Sequence, residues 1–233
     1  MQAMKWVVTA LVLSTAAFAQ EAAPSVNQSV LAGKVVGQSS TVLHGEAGWP
    51  GLSMSVWRGA GPKLDIGGKA SLLYGYEGIT QMAGVPGIKL QGLIKLSLLD
   101  RNKINLGLKA SPGMFFYFFP GITDVGITLP LDLTLGFAAT PSMMLNVGMD
   151  MPMFVVFGTW GGMVVPVRLG AGLEYFLDRT MALTLNLRAG PVVNNYYYPS
   201  YSVCFDRFGR GYRCGGPAPA ATAEMLVGLS YRL

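Results

Sequence analysis

The feature that most constrains this chain is an alternation of apolar and polar residues with a period of two. From Met181 to Gly190, the odd positions carry Met, Leu, Leu, Leu and Ala, whereas the even positions carry Ala, Thr, Asn, Arg and Gly. From Lys103 to Ser111 the order repeats, with Ile, Leu, Leu and Ala on one parity and polar residues or Gly on the other. Successive side chains of a β-strand point to opposite faces, and a helical period of about 3.6 cannot produce this order. The pattern predicts an all-β fold.

Composition decides which solvent the two faces meet. Hydrophobic residues make up 51% of the 233 residues and charged residues only 12%, which leaves too few charges to cover the outer face of a soluble β-sandwich, the alternative all-β fold. The 31 Gly and 14 Pro interrupt the apolar stretches, and a membrane-spanning helix needs about 20 uninterrupted apolar residues. A closed antiparallel transmembrane β-barrel is the remaining way to satisfy the backbone in lipid.

The alternation also sets the number of strands. Six further segments place every charged residue on the parity opposite to their Leu, Ile, Val and Met: Leu64 to Tyr74, Ile88 to Leu98, Val125 to Phe137, Leu145 to Phe157, Val165 to Tyr175 and Met225 to Leu233. With Leu52 to Arg58 the count is nine. Bacterial single-chain barrels have even strand numbers, so one more strand is expected within Ser39 to Ala47. The prediction is ten strands, with eight as the second choice.

The N-terminus indicates export. Residues 1–19 combine a single early Lys5, an apolar core and the small-x-small sequence Ala17-Phe18-Ala19, which is typical of a secretory signal peptide. The alternative, a short membrane anchor, is disfavoured because the apolar core is too short to span. The predicted organisation is a signal peptide at 1–19, an N-terminal lead segment at 20–38 and the barrel at 39–233.

Two stretches carry a family resemblance. The hairpin from Leu169 to Leu187 and the last strand, from Glu224 to Leu233, resemble small bacterial outer-membrane barrels of the OmpA-like and opacity type. The resemblance implies location in a Gram-negative outer membrane and recognition of the last strand by the barrel assembly machinery. Leu233 stands where that family usually has Phe or Trp. The architecture hosts anchors, adhesins, small pores and a few enzymes, so it implies little about activity.

Seven charged residues fall on the inward parity at mid-height: Lys69, Lys95, Lys109, Asp132, Asp150, Arg168 and Arg188. One interpretation is a charge network that plugs the lumen, with Lys109 paired to Asp132 and Asp150 to Arg168. The other is a narrow pore for small solutes, which would prefer anions because bases outnumber acids in this set. A barrel of about eight strands is filled by its own side chains, so ten strands favour the plugged lumen.

The long connection from Asn194 to Ala220 contains both cysteines, Cys204 and Cys214. An exported compartment is oxidising, which favours a disulfide over two free thiols. Arg207, Arg210 and Arg213 lie beside them and make this loop a candidate surface for recognition of anionic lipopolysaccharide. The aromatic run from Phe115 to Phe119, with the tyrosines before Cys204, is interpreted as part of an outer aromatic girdle.

The same residues argue against most other functions. His44 is the only histidine; beside Glu46 it leaves a lipid-A-modifying hydrolase as a minor alternative. No metal-ligand cluster, cofactor motif or polybasic run occurs in the sequence, so no cofactor, metal or nucleic-acid partner is expected. The prediction is a monomeric, non-enzymatic outer-membrane protein with a structural or surface-interaction role, whose partners are outer-membrane lipid, lipopolysaccharide and, during biogenesis, the assembly machinery.

Overall fold

The computed structural model describes residues 28–80, 83–101, 103–157, 162–195, 202–205, 211–214 and 221–233. The predicted signal peptide at 1–19 lies outside these residues, and the lead segment is described from residue 28. Within the described ranges, no helix is long and apolar enough to cross a membrane.

The described chain is built from strands and one short 3-10 turn at Tyr76–Gly78. The strands are β1 Thr41–Trp49, β2 Gly51–Gly61, β3 Leu64–Gly75, β4 Ala83–Arg101, β5 Ile104–Ala110, β6 Gly113–Phe119, β7 Ile122–Thr140, β8 Met143–Phe157, β9 Gly162–Pro166, β10 Arg168–Phe176, β11 Met181–Asn195, β12 Ser202–Phe205, β13 Gly211–Cys214 and β14 Ala221–Arg232. The expected strand before Trp49 is confirmed as β1.

Twelve of these strands form one antiparallel sheet that closes into a ring, because β1 pairs with both β2 and β14. Strands β5 and β6 both pair with β4 and β7, and strands β9 and β10 both pair with β8 and β11. The predicted count of ten strands is therefore not confirmed for the described sheet. Pro112 and Pro166 adjoin the two interruptions, where a missing N–H weakens the ladder. Strands β12 and β13 form a separate hairpin.

Burial along the strands follows the period-two pattern. In β11, Leu183 and Leu187 are 44% and 43% exposed, whereas Thr184 and Asn186 are 4% and 7% exposed. The same alternation holds around the ring, with Leu, Ile, Val, Met and Phe on the outer face. The facing predicted from the sequence is confirmed, and the polar parity points into the lumen.

The aromatic run in β6 corrects one expectation. Phe115 and Tyr117 are fully buried inside the ring, whereas Phe118 is 44% exposed on the outer face. The interpretation of the whole run as an outer girdle is wrong, because alternation continues from β5 through β6 and sends every second ring inward. Phe115 and Tyr117 pack in an apolar cluster with Tyr76, Phe154 and others.

Two segments of the chain fill the lumen from opposite ends. Residues 28–38, named here the N-terminal plug, run inside the ring at the end that carries the short β4–β5, β7–β8 and β10–β11 connections. At the other end, residues 76–80, named here the inner loop, cross from β3 to β14, where Ile79 pairs with Thr222. The Thr80 amide donates to the Ala221 carbonyl oxygen over 3.1 Å.

Candidate functional site

The N-terminal plug is held mainly by Glu174, an inward residue of β10 that is 1% exposed. Its Oε1 accepts hydrogen bonds from the amides of Val30, at 2.8 Å, and Leu31, at 3.2 Å. Its Oε2 accepts one from the Ser29 hydroxyl. Hydrogen bonds to a charged acceptor are stronger than neutral ones, so this buried carboxylate is the principal anchor of the plug.

Three more wall residues bind the plug backbone. The Gly33 amide donates to Asn105 Oδ1 over 2.7 Å, and the Val36 amide donates to Asp65 Oδ2 over 3.0 Å. Lys95 Nζ donates to the Ser29 carbonyl oxygen over 2.5 Å and lies 2.9 Å from Asp65 Oδ2. The plug is thus bonded to strands β3, β4, β5 and β10 and bridges the lumen.

The plug also depends on a close backbone approach. A Cβ on Gly33 would lie 2.4 Å from the backbone nitrogen of Gly107 in β5, and a Cβ on Gly107 would lie 2.5 Å from Gly33 Cα. Only glycine at both positions permits this contact. Val30 and Val36 then pack in an apolar cluster with wall residues that include Trp57 and Leu93.

Deeper in the lumen, two carboxylates share two guanidinium groups. Asp132 in β7 pairs in register with Asp150 in β8. Arg188 Nη1 lies 2.5 Å from Asp132 Oδ2 and 3.4 Å from Asp150 Oδ1. Arg168 donates two hydrogen bonds to the Asp150 carboxylate, one from Nε at 3.1 Å and one from Nη2. Two acids in adjacent register would repel each other, so each is neutralised by an arginine.

Two further residues complete what we name the central network. Lys109 Nζ lies 3.5 Å from Asp132 Oδ2, and Glu224 Oε2 lies 3.3 Å from Arg168 Nη1. The members are Lys109, Asp132, Asp150, Arg168, Arg188 and Glu224. Three acids balance three bases, so the network has no formal net charge.

The other two lysines predicted for the lumen are each paired with an acid. Lys69 Nζ lies 2.8 Å from Glu46 Oε2, and Lys95 pairs with Asp65. An additional pair joins Lys89 Nζ to Glu77 Oε2 at 2.5 Å. With the central network, these pairs contain six bases and six acids: Lys69, Lys89, Lys95, Lys109, Arg168 and Arg188 against Glu46, Asp65, Glu77, Asp132, Asp150 and Glu224.

Sequence reasoning selected only mid-height residues and therefore missed four partner acids: Glu46, Asp65, Glu77 and Glu224. It also missed the anchor Glu174. The inward parity of Asp65 and Glu174 was available as a signal, whereas Glu77 reaches the lumen only because the inner loop folds inward. The excess of bases behind the anion-preferring alternative disappears once these partners are counted.

A chamber of about 150 Å³ lies between the N-terminal plug and the inner loop. Its lining includes Glu46, Lys69 and Glu77 as well as the central network. Trp57 and Leu226 add apolar surface. The volume has room for several water molecules, and the chamber is a polar, charged compartment between the N-terminal plug and the inner loop. Among the residues that the structure describes, no group of three or more His, Cys, Asp or Glu is arranged to hold a metal ion.

His44 lies between a hydroxyl and a carboxylate. Its Nδ1 is 2.9 Å from Ser230 Oγ, and its Nε2 is 3.2 Å from Glu46 Oε1. The order hydroxyl, imidazole, carboxylate is that of a nucleophilic triad. Ser230 is buried against the N-terminal plug, beside a cavity of about 10 Å³ that is also lined by Val30 and Val36. That space admits at most a water molecule and not an ester substrate.

The inner loop closes the other end with a polar contact inside an aromatic cluster. The Glu77 amide donates to the Tyr117 hydroxyl over 2.8 Å, and the same hydroxyl donates to Glu77 Oε1 over 3.1 Å. The rings of Tyr76 and Tyr117 lie 4.3 Å apart. Glu77 adopts a left-handed backbone conformation, with φ of 46°, which turns the chain into the lumen.

The predicted recognition loop is only partly described. Arg207 and Arg210 lie outside the described residues, and Arg213 lies in β13 opposite Val203 of β12. The hairpin register places Cys204 opposite Tyr212 and Cys214 opposite Ser202, so the two cysteines occupy diagonal positions. The disulfide stays a prediction.

Comparison with known proteins finds similarity among solved structures. No protein-family model and no curated protein matches the chain. The chain is similar to outer-membrane expressed OmpT of Vibrio cholerae, with a TM-score of 0.37 and 10% identity over 84% of this chain and 62% of that chain. For an in-vitro folded OmpT of Vibrio cholerae, the TM-score is 0.36 and the identity is 9%, over 84% of this chain and 62% of that chain. For a TodX monoaromatic hydrocarbon channel deltaS2 mutant, the TM-score is 0.36 and the identity is 8%, over 83% of this chain and 87% of that chain.

The chain thus spans less than two thirds of the OmpT chains that it matches. Similarity this weak assigns neither a family nor an activity, so function rests on the geometry of the site itself.

Proposed function

We propose that the chain is an integral β-barrel of the bacterial outer membrane, non-enzymatic, with a closed lumen and a structural or surface-interaction role. The observation that carries the proposal is the occupied lumen: residues 29–36 are bonded to Glu174, Asn105 and Asp65 inside a ring whose outer face is apolar. An apolar exterior with a polar, filled interior is the arrangement that a small barrel needs in lipid.

The ring corresponds to ten transmembrane positions. Strands β5 and β6 share the neighbours β4 and β7, and strands β9 and β10 share β8 and β11, so each pair occupies one position. The twelve strands of the described sheet then occupy ten positions around the ring. This number is even, as expected for a bacterial single-chain barrel. A barrel of this size is narrow enough to be filled by side chains and two inserted segments.

The lumen charges support a closed barrel rather than a pore. A conducting pore needs a solvated path with fixed charges that are free to act on passing ions. Here the six bases and six acids in the described lumen pairs neutralise one another, and the N-terminal plug occupies one end. A narrow anion-preferring pore therefore has no electrostatic basis in these residues.

Conductance tests the proposal directly. The purified chain, inserted in planar bilayers, is expected to give little or no steady current. Heat-modifiable mobility on gels, measured on the same sample, shows whether the barrel is folded. Robust discrete channels from folded protein would overturn the proposed closed lumen. Protein that does not insert into lipid would overturn the proposed membrane location.

The hydrolase alternative is not favoured by the surroundings of His44. Glu46 is already paired with Lys69, and Ser230 faces the N-terminal plug rather than an open cleft. A nucleophile needs a site where the reacting carbonyl can approach to about 3 Å. We therefore assign His44, Ser230 and Glu46 a structural role in the lumen.

The surface role is placed on the long loop of the chain. Arg207, Arg210 and Arg213 suit an anionic ligand such as lipopolysaccharide, and a disulfide between Cys204 and Cys214 would hold the loop in a binding conformation. We propose a monomer whose other partners are outer-membrane lipid and the barrel assembly machinery.

A further inference from the structure

Four neighbouring positions of the ring carry a proline at the same level. Pro130 in β7 pairs in register with Pro152 in β8. Pro166 ends β9, the next strand around the ring. On the far side of β9, the Val167 amide donates to the carbonyl oxygen of Pro191 in β11 over 3.0 Å. Prolines are rare inside sheets because each removes a ladder donor, so a belt of four calls for a physical reason.

Two of these prolines face each other. Strand β8 pairs with β10 at Asp150 and Arg168. It pairs with β9 two residues beyond the prolines. The two pairings share one antiparallel register. That register places Pro152 opposite Pro166. No ladder pair is formed between them, although pairs are formed on both sides.

The facing pair removes two hydrogen bonds from the wall. Backbone polar groups alternate between the two neighbours of a strand. Because the Val167 amide points to β11, the backbone groups of Pro166 point to β8 and thus to Pro152. Neither proline has an N–H, so neither carbonyl receives a ladder donor from the other. We name this gap between β8 and β9 the proline seam.

Another proline of the belt shows how such a loss is compensated elsewhere. The Ser111 amide donates to the Pro130 carbonyl oxygen over 3.0 Å, and Pro130 cannot donate in return. The Ser111 carbonyl oxygen instead accepts a hydrogen bond from Gln91 Nε2 over 3.0 Å. At Pro130, a side chain therefore replaces the lost backbone donor. At the proline seam, both facing residues lack a backbone donor.

The seam is next to the chamber. Pro152 lines the chamber together with Asp150 and Arg168. In lipid, an unsatisfied backbone carbonyl is unfavourable, and the polar chamber lies beside Pro152. Separating β8 from β9 at this level breaks no ladder hydrogen bond between the two prolines. Opening the wall at the seam therefore costs fewer hydrogen bonds than opening it at a fully paired position.

We propose that the proline seam is a lateral port through which the chamber exchanges small amphipathic molecules with the bilayer. The inference rests on the proposed membrane-embedded barrel. The solute must fit a chamber of about 150 Å³, must tolerate paired charges and must pass between the half-exposed outward side chains of Met151 and Val167. Lateral exchange needs no axial channel, so it is compatible with a lumen plugged at both ends.

Alkylation of a chamber thiol from the lipid phase tests the port. Ser71 is buried, lines the chamber in β3 and accepts a conservative Ser71→Cys change in a Cys204→Ser, Cys214→Ser background. In reconstituted vesicles, a short-chain N-alkylmaleimide dissolved in the lipid is expected to label this thiol at least tenfold faster than a charged, water-soluble maleimide does.

Restoring the two missing donors supplies the matched comparison. The double variant Pro152→Val, Pro166→Val can complete the ladder and is expected to slow lipid-phase labelling about tenfold. Pro130→Val, the control, changes the same belt where Gln91 already compensates, and is expected to label like the parent. Equal labelling in all three, or faster labelling by the charged reagent, would overturn the port. Flotation with the vesicles reports separately on membrane insertion.

Amide exchange in the native chain keeps the inference testable if the valine variants do not fold. The Asp150 and Asn146 amides lie on β8 and share the parity that faces β10. Asp150 adjoins the seam and Asn146 does not. We expect the Asp150 amide to exchange at least tenfold faster in lipid than that of Asn146. Slower or equal exchange at Asp150 would count against the port.

Discussion

At the scale of single residues, the apolar side chains of the outer face would lie at different depths in the bilayer of the proposed membrane-embedded barrel. Leu187 lies on β11 beside the inward Arg188 of the central network, whereas Leu177 lies beyond the end of β10 near the short-turn end. The two leucines are 43% and 48% exposed, respectively. They therefore offer a matched pair for the cost of a charge at two depths.

Leu187→Arg is expected to destabilise the folded barrel by about 2–4 kcal/mol, because a cation near the midplane loses its hydration. Leu177→Arg places the same charge near the interface and is expected to cost about 0–1 kcal/mol. Guanidinium unfolding of both variants in lipid vesicles measures the difference. Equal costs would contradict the assigned depths.

Asp178 shows how one side chain organises a short turn. Its Oδ1 accepts hydrogen bonds from the Thr180 hydroxyl at 2.7 Å, the Thr180 amide at 2.6 Å and the Met181 amide at 2.7 Å. These donors favour the ionised carboxylate, so the hydroxyl of Thr180, followed by the two amides, holds the pKa of Asp178 below its ordinary value.

The depressed pKa predicts a pH-dependent turn. The stabilisation is fully present above the unfolded-state pKa of about 3.9 and is lost as the pH falls through the lower folded-state pKa. An NMR titration of the Asp178 carboxyl in micelles should find its midpoint below the ordinary value. Thr180→Val, which removes the hydroxyl donor, should move the midpoint upward. A midpoint of the native residue at or above the ordinary value would refute this account.

At the scale of elements, the N-terminal plug is an unusual use of a lead segment. It contributes no strand to the ring apart from the bridge between Gln38 and Gly59. Its bonds go instead to wall side chains, above all Glu174. Such a segment is stabilised by a few strong contacts and by the Gly33–Gly107 approach, so single substitutions should release it.

Release of the plug can be read at Lys34, which is buried in the native protein. Glu174→Gln replaces one carboxylate oxygen by an NH₂ group, which would face the hydrogen-bond donors of the plug. The change is expected to weaken the anchor by about 1–3 kcal/mol. Trypsin should then cleave after Lys34 at least tenfold faster. Asp100→Asn, the control, alters only the ion pair at 3.7 Å from Lys34 Nζ and should leave cleavage nearly unchanged. Equal protection of the native chain and Glu174→Gln would refute the anchor.

At the scale of the whole molecule, ring closure and charge balance act together. Pairing of β1 with β14 leaves no open edge in the ring, so the backbone can lie in lipid. Twelve of the charges inside are paired with one another, and the buried Glu174 is held by hydrogen bonds from the N-terminal plug, because an isolated buried charge costs several kcal/mol. The excess positive charge of the chain, +5 in all, therefore belongs to residues outside the lumen pairs.

The long loop is where this excess is expected to act. Arg207, Arg210 and Arg213 changed together to Ala should weaken binding to lipopolysaccharide at least tenfold, because three charged donors are lost. Heat-modifiable mobility should not change, since β12 and β13 are not paired with the strands of the ring. Thiol counting without reductant should find no free cysteine in the native chain. Unchanged lipopolysaccharide binding by the triple variant would remove the recognition role.

The sequence by itself determined which way each strand faces, because facing depends only on the local alternation of side chains. It also predicted the added strand β1 and the mid-height lumen residues from Lys69 to Arg188. Facing says nothing about neighbours around a ring, so the pairing of Arg168 with the distant Glu224 was not predicted.

Only the tertiary structure decided what fills the lumen. The N-terminal plug and the inner loop occupy a space that exists only inside the closed ring. Their anchors, Glu174 and Tyr117, come from strands far away in sequence. The twelve-strand count likewise follows from backbone geometry at Pro112 and Pro166, where missing donors interrupt two ladders. Such contacts have no local signal, because they depend on the register of the whole ring.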